Sequence, residues 1–206
     1  MNKVYLLGMG PGHKDYILPI VLKKIDESDV LIGGKRLLKD FKNYKKELIV
    51  IDSKLSKIVD YIKENKRHKK IALLLSGDTG FYSMLDYLKR HFKDEEIEVI
   101  PGISSYQYLM AKLNKSWHNS FIGSVHGREL NIIDIVKKYS RVILLTDFRK
   151  SPSYIASILM KEGVRNKRMI VGENLSYDNE RIISGTLEDI SNLKENGISV
   201  VVIEDE

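Results

Sequence analysis

Three glycine-containing turns could hold a small polar molecule, because each follows a run of apolar residues and precedes a helical pattern. They are Gly8-Met9-Gly10-Pro11-Gly12, Ser76-Gly77-Asp78-Thr79-Gly80 and Pro101-Gly102-Ile103-Ser104-Ser105. Open α/β sheets bind ligands beyond the carboxyl ends of their strands, where such turns lie. The Asp78 carboxylate and the hydroxyls of Ser104 and Ser105 could contact a ligand or cap the helices that follow. We therefore expect the three turns to form one composite pocket.

The first turn does not match the two commonest phosphate-binding loops. The dinucleotide fingerprint needs its third glycine one position later, where this chain has His13. Gly33 and Gly34 stand where an acidic residue would bind a ribose. The chain also lacks the Gly-Lys-Ser/Thr sequence of nucleotide hydrolases. These mismatches argue against both enzyme classes, and a purely structural tight turn stays open as the alternative.

A second group of polar residues follows two strand-like runs in the second half of the chain. Within Ser124–Arg128, His126 is a candidate general base, and Arg128 is a candidate carboxylate ligand. Arg149 lies in Thr146-Asp147-Phe148-Arg149, which follows the next strand-like run as Ser124–Arg128 follows the first. The alternatives are a turn capped by His126 and a cation that only begins a helix. The histidines show no metal-ligand spacing and the chain has no cysteine, so the sequence predicts no metal site.

Alternating strand and helix patterns must position these residues, and they predict a mostly parallel α/β sheet in the first half. The expected strands are 3–7, 29–32, 48–51, 71–75 and 97–100. The expected helices are 17–25, 55–64, 81–92 and 103–113. Residues 71–75 form a continuous apolar run, which is typical of a central strand covered on both faces.

A polar segment at 114–119 interrupts the pattern and predicts a boundary between domains 1–115 and 116–206. In the second half we expect strands at 121–125, 142–145, 169–172, 181–185 and 200–203. The expected helices are 130–138, 154–162 and 187–193. A short polar connection between the third and fourth of these strands favours a hairpin, so the second domain should contain a mixed sheet.

Composition restricts the environment and the partners of the protein. No apolar run among its 206 residues approaches the ~20 residues that span a bilayer. The N-terminus does not resemble a signal peptide, so we expect a cytoplasmic protein that does not bind membranes. The 34 basic and 28 acidic residues give a formal charge of +6, which favours a nucleic acid or a small polyanion as partner. A Lys-rich surface that serves only solubility is the alternative.

Taken together, the three turns resemble those of the tetrapyrrole methylases, the class III methyltransferases that use S-adenosylmethionine. The resemblance rests on their order, spacing and strand-end position, and it extends over essentially the whole chain. In the second half, Ser124–Arg128, Leu144–Asp147 and Gly172–Ser176 are similar to family members that methylate C5 of cobalt-precorrin-7 in anaerobic cobalamin biosynthesis.

The resemblance implies two α/β domains, with S-adenosylmethionine bound in the cleft between them and S-adenosylhomocysteine as the product. By motif, Asp78 and Phe81 would hold the methionine part, while Thr146, Asn174 and Leu175 would approach the adenine. The full set of implied cofactor residues is Pro11, Gly77, Asp78, Phe81, Ser104, Ser105, Thr146, Asn174 and Leu175.

The implied substrate is an anionic corrinoid, which His126, Arg128 and Arg149 would bind. The family also implies a homodimer and a separate C15-methylase/decarboxylase as a possible partner. A nucleic-acid partner is not expected, because the chain lacks a stripe of interleaved aromatic and basic residues. The alternatives left open are another corrin-ring methylase, a diphthine synthase-like or ribosomal RNA ribose methylase-like enzyme, and a non-catalytic nucleotide-binding module.

Overall fold

The computed structural model describes residues 2–52, 54–195 and 197–206. The chain forms two compact units, Met1–Ser104 and Ser105–Glu206, each built on a five-stranded sheet. The division falls earlier than the expected boundary at 115/116. The reason is that the helix Ser105–Lys112 contacts two strands of the second sheet, Arg141–Leu145 and Ser199–Asp205.

The first unit contains a fully parallel sheet, as expected. Its strands are β1 (Val4–Gly8), β2 (Val30–Gly33), β3 (Glu47–Val50), β4 (Ile71–Leu75) and β5 (Ile97–Ile100). Its helices are α1 (Pro19–Glu27), α2 (Lys35–Leu38), α3 (Leu55–Asn65) and α4 (Leu85–Leu88). The strand order is β3-β2-β4-β1-β5, and every neighbouring pair is parallel. Strands β4, β1 and β5 are therefore adjacent, and their carboxyl ends lie at one edge of the sheet.

Alternating residues along the central strands face two separate cores. Leu6 and Leu73 pack in one core with Ile62 of α3, whereas Leu7 and Leu74 lie in the other. All five residues of β4 are buried. The continuous apolar run arises because helices cover the sheet on both faces, so that neither side of the strand meets water.

The helix predicted at 81–92 is reduced to the single turn of α4, Leu85–Leu88. Tyr82 has a positive φ of 52°, which a continuous α-helix does not permit. The Ser83 hydroxyl donates to the Thr79 carbonyl and accepts from the Leu85 N–H at 3.2 Å. These local bonds replace helical ones, so Asp78 does not cap a helix at Phe81.

The second unit contains the expected mixed sheet. Its strands are β6 (Phe121–Ser124), β7 (Arg141–Leu145), β8 (Lys167–Glu173), β9 (Arg181–Thr186) and β10 (Ser199–Asp205). Its helices are α5 (Ser105–Lys112), α6 (Ile132–Lys138), α7 (Pro152–Lys161) and α8 (Leu187–Ser191). The order is β6-β7-β10-β8-β9, with β6 and β7 parallel and the other pairs antiparallel. The predicted hairpin is confirmed as β8 and β9.

One face of this second sheet carries most of the unit's core. Val142 and Leu144 of β7 pack there with Ile155 and Leu159 of α7.

In the described ranges, no helix is both long and apolar enough to cross a membrane.

We expect Gly102→Ala to lower the free energy of unfolding of the protein by about 3 kcal/mol. An added Cβ would lie 2.7 Å from the Gly8 carbonyl carbon and 2.8 Å from its oxygen, and backbone atoms cannot move aside as a flexible side chain can. Urea denaturation measures the change.

Gly34→Ala is the matched control, because in the described ranges only its own chain neighbours have atoms within 4 Å of a Cβ added there. Its stability should stay within about 0.5 kcal/mol of the parent protein. Equal losses in the two variants would contradict the proposed backbone contact.

Candidate functional site

The three glycine turns meet at the carboxyl ends of β4, β1 and β5. The Met9 N–H donates to the Leu75 carbonyl at 2.8 Å. Gly10 and Gly77 exchange backbone hydrogen bonds of 3.2 and 2.9 Å, and both have a positive φ, of 75° and 70°. The first two turns are thus joined by backbone bonds that need left-handed conformations at two glycines.

The third turn lies directly against the first. A Cβ added to Gly8 would lie 2.7 Å from the Gly102 Cα and 2.8 Å from the Pro101 carbonyl carbon. No residue with a side chain fits at this contact, so the two backbones approach as closely as glycine allows. The structure therefore brings together the turns that the sequence predicted as one cluster.

Asp78 connects two of these turns through its carboxylate. One oxygen accepts the Gly80 N–H at 2.8 Å, and the other accepts the Gly102 N–H at 3.1 Å. Each carboxylate oxygen has two lone-pair directions, so both can still accept a bond from a ligand. Asp78 is half-buried, and its position suits a residue that shapes the turns and contacts a bound molecule.

The other candidates of the first turn cluster differ in exposure. Pro11 is buried, Phe81 is half-buried, and the Phe81 ring packs edge-on against Tyr82 with 4.8 Å between centroids. Ser104 is 3% exposed. Ser105 is the first residue of α5, so its N–H belongs to the helix-start groups that have no partner within the helix.

A cavity of about 420 Å³ lies in the second unit, where β6 and β7 end and β10 begins. His126, Thr146 and Asp147 line it from the strand ends, and Phe148 and Ser199 complete that side. The cavity thus contains two residues that the sequence singled out, His126 and Thr146, within one concave surface.

The Asp147 carboxylate connects the loop after β6 with the loop after β7 at this cavity. Its carboxylate accepts the backbone N–H groups of Gly127, Arg149 and Lys150, each at 2.8 Å. The pKa of Asp147 is lowered from 3.8 to about 2. The largest cause is the hydrogen bond from the Lys150 N–H, and the bonds from Gly127 and Arg149 and the nearby His126 add to it. Partial burial opposes this shift.

His126 is exposed at the cavity wall. Its backbone N–H donates to the Ser124 hydroxyl at 3.2 Å, and its ring Nδ1 lies 3.4 Å from the Thr146 carbonyl oxygen. Because a carbonyl only accepts, this contact requires a proton on Nδ1 and leaves Nε2 able to accept a proton when the ring is neutral.

Of the cofactor candidates of the second unit, Thr146 lines the cavity and Asn174 contacts two of its lining residues, Gly197 and Ile198. The Thr146 hydroxyl donates to the Ser199 carbonyl at 2.9 Å. Asn174 has a φ of 48°, and its N–H donates to the Ile198 carbonyl at 3.0 Å. Gly197 has a φ of 116°, a backbone conformation that favours glycine, and it lies against the Asn174 side chain.

Leu175 belongs to the core. It is 4% exposed, and its Cδ2 would lie 2.8 Å from a Cβ on Gly172. A ligand could therefore reach Leu175 through its backbone and not through its side chain.

The sequence analysis did not single out Asp147 or Phe148 as site residues, and both line the cavity. Phe148 is 86% exposed, and the Arg149 guanidinium lies 5.5 Å from the centre of its ring. An aromatic residue between two charged ones, directly after a buried strand, was the available signal. It went unused because apolar residues are usually assigned to the core.

Solved structures first identify the class of fold. The structure of a cobalamin biosynthesis precorrin-6Y methylase from Archaeoglobus fulgidus has a TM-score of 0.77 and 21% identity, with 99% of this chain and 98% of that chain covered. A Thermus thermophilus uroporphyrin-III C-methyltransferase complexed with S-adenosylhomocysteine has a TM-score of 0.79 and 16% identity, with 98% and 97% covered. At these identities the likeness shows a shared fold.

Sequence then identifies the family. Residues 3–191 match the model of the tetrapyrrole (corrin/porphyrin) methylases, and the chain belongs to that family. A probable cobalt-precorrin-7 C(5)-methyltransferase from Methanocaldococcus jannaschii is 34% identical, with 98% of this chain and 97% of the relative covered. A cobalt-precorrin-7 C(5)-methyltransferase from Salmonella typhimurium is 35% identical, with 86% and 87% covered. The predicted family is confirmed.

We expect the stability advantage of the parent protein over Asp147→Asn to depend on pH. Because folding lowers this pKa from 3.8 to about 2, the ionised carboxylate stabilises the fold fully above about pH 5, and this contribution is lost as the pH falls toward 2. Urea denaturation between about pH 6 and pH 3 measures the difference. A difference that stays constant over this range would contradict the assigned hydrogen bonds.

Proposed function

We propose that this protein transfers a methyl group from S-adenosylmethionine to C5 of cobalt-precorrin-7, giving cobalt-precorrin-8 in anaerobic cobalamin biosynthesis. The observation that carries the proposal is the convergence of three glycine turns at adjacent strand ends, in a chain that matches relatives named for this reaction along most of its length.

The residues of the first unit fit the methionine part of the cofactor. The turn backbones approach closely, and hydroxyl groups and a carboxylate stand beside them, as an amino-acid group with both charges requires. We assign cofactor binding in the first unit to Pro11, Gly77, Asp78, Phe81 and Ser104. In the second unit we assign it to Ser105, Thr146, Asn174 and the Leu175 backbone.

When bound, S-adenosylmethionine supplies a methyl group on a positively charged sulfur, which is electrophilic without further activation. The protein therefore needs no nucleophile of its own. Its residues act by orienting the two reactants in line and by excluding water. Rigid turns suit this role better than mobile side chains, because their geometry is set before the reactants bind.

The cavity of the second unit and the two loops beside it supply groups suited to an anionic macrocycle. His126 lines the cavity, Arg128 and Arg149 lie in these loops, and all three can bind carboxylates. The exposed Phe148 ring, which also lines the cavity, offers a flat apolar contact. The formal charge of +6 would steer such a polyanion toward the protein. We assign to His126 Nε2 the further role of accepting the proton that the ring releases after methylation.

The same family resemblance leads us to infer a cytoplasmic homodimer. It acts beside a separate C15-methylase/decarboxylase.

The direct test incubates the purified protein with cobalt-precorrin-7 and S-adenosylmethionine, followed by mass spectrometry. We expect a product heavier by one methyl group, and NMR of the product should place this group at C5. Asp78→Ala, which should bind the cofactor more weakly, serves as the low-activity comparison.

Methylation at another ring carbon would replace the C5 assignment with a different corrin-ring methylase. Tight binding of S-adenosylhomocysteine without turnover of any corrinoid would indicate a methylase with another substrate or a non-catalytic binding module.

Separate variants should divide cofactor binding from substrate binding. Asp78→Ala removes the acceptor of two backbone N–H groups, so we expect its affinity for S-adenosylhomocysteine to fall by about tenfold or more. Arg128→Ala and Phe148→Ala should keep that affinity and raise the KM for the corrinoid by about tenfold. Calorimetry and steady-state kinetics measure the two effects.

Asp40→Ala and Ile182→Ala are the matched controls. Asp40 is an exposed acid of the first unit, and Ile182 is a partly exposed apolar residue on β9. Both should behave as the parent protein does. Unchanged affinity in Asp78→Ala would contradict the cofactor site.

A further inference from the structure

Two loops carry the candidate substrate contacts of the second unit, and one carboxylate connects them. The loop after β6 contains His126 and Arg128, and the loop after β7 contains Phe148 and Arg149. On the basis of the function proposed above, we propose that Asp147 is a positioning residue that fixes these two loops relative to each other. It thereby sets the spacing of the groups that receive the corrinoid carboxylates.

The hydrogen bonds of Asp147 reach both loops. One carboxylate oxygen accepts from Gly127 in the first loop, and the other accepts from Arg149 and Lys150 in its own loop, all at 2.8 Å. A single side chain thus accepts three backbone N–H groups. The proposed substrate ligands stand next to these bonded groups. His126 and Arg128 flank Gly127 in the first loop, and Phe148 and Arg149 follow Asp147 in the second.

Lys150 provides a second connection, in which the loop after β7 is the hydrogen-bond donor. Its ammonium group donates to the Arg128 carbonyl at 2.7 Å and pairs with Glu129 at 3.0 Å. Asp147 and Lys150 therefore close a ring of contacts between the two loops. Removing Asp147 breaks one side of this ring and also frees the backbone N–H of Lys150.

The loop after β6 has few packing contacts that could substitute for these bonds. Residues 126–129 are all exposed. Gly127 has a φ of 62°, and apart from its two chain neighbours no described residue has an atom within 4 Å of a Cβ added to it. The conformation of this loop thus depends on hydrogen bonds more than on burial, and the Asp147 carboxylate supplies the bond to Gly127.

The charge of Asp147 supports the assignment. At neutral pH the carboxylate is ionised, so both of its oxygens accept hydrogen bonds, and these bonds are what lowers its pKa. An asparagine has only one oxygen acceptor, so it can keep the bonds to Arg149 and Lys150 or the bond to Gly127. Asp147→Asn should therefore have an intermediate effect, which distinguishes positioning from a simple need for negative charge.

The experiment compares Asp147→Ala and Asp147→Asn with Asp189→Asn. Asp189 is a matched control because its carboxylate also accepts a backbone N–H, from Thr186 at 2.9 Å, and lies outside the cavity. We expect Asp147→Ala to raise the KM for cobalt-precorrin-7 by about tenfold and Asp147→Asn by less. S-adenosylhomocysteine affinity should stay within about twofold, and Asp189→Asn should match the parent protein.

Amide hydrogen exchange measures the loops without any substrate. Exchange at Gly127 and Arg149 should become faster in Asp147→Ala and stay unchanged in Asp189→Asn. Unchanged exchange at Gly127, an unchanged KM in Asp147→Ala, or an equal rise of KM in Asp189→Asn would each overturn the inference. A parent protein that does not methylate the corrinoid would instead contradict the proposed function, while the exchange result would still test the connection between the loops.

Discussion

Direct backbone contact between glycine turns is the constraint on which the first unit depends. Gly8 and Gly102 lie so close that a Cβ on either would come within 3 Å of the other's backbone. Gly10 and Gly77 add a pair of mutual backbone hydrogen bonds. Such contacts leave little freedom to the turns that follow β1, β4 and β5. A reaction whose electrophile needs no activation gains most from this kind of fixed geometry, because alignment is the main task that remains for the protein.

In both units a carboxylate at a strand end connects neighbouring turns. Asp78 accepts one N–H from its own turn and one from the turn after β5, and Asp147 does the same between the loops after β7 and β6. A carboxylate suits this role because its two oxygens can accept from several backbone N–H groups that have no partner in a strand or helix. The two residues make the turns rigid while leaving nearby side chains available for ligands.

Apolar runs predicted the strands of the first sheet well, most clearly β4, whose five residues are all buried. Strands β4 and β5 were predicted at 71–75 and 97–100, the ranges that the structure shows. The helix predicted at 81–92 was largely wrong, since Ser83 forms competing local hydrogen bonds and Tyr82 adopts a positive φ. The two units divide between Ser104 and Ser105, before the boundary expected near 115, because α5 contacts the second sheet. No local sequence pattern indicates that contact.

The sequence by itself determined the fold class, the strand-end position of each glycine turn, and the family to which the chain belongs. These follow from short-range features: apolar periodicity, glycine placement and motif order. Only the tertiary structure decided that β4, β1 and β5 are neighbours, that Leu175 is buried, and that Phe148 is exposed beside Asp147. Strand order and close backbone contact join residues that are far apart in the chain, and no spacing within a single segment encodes such a contact.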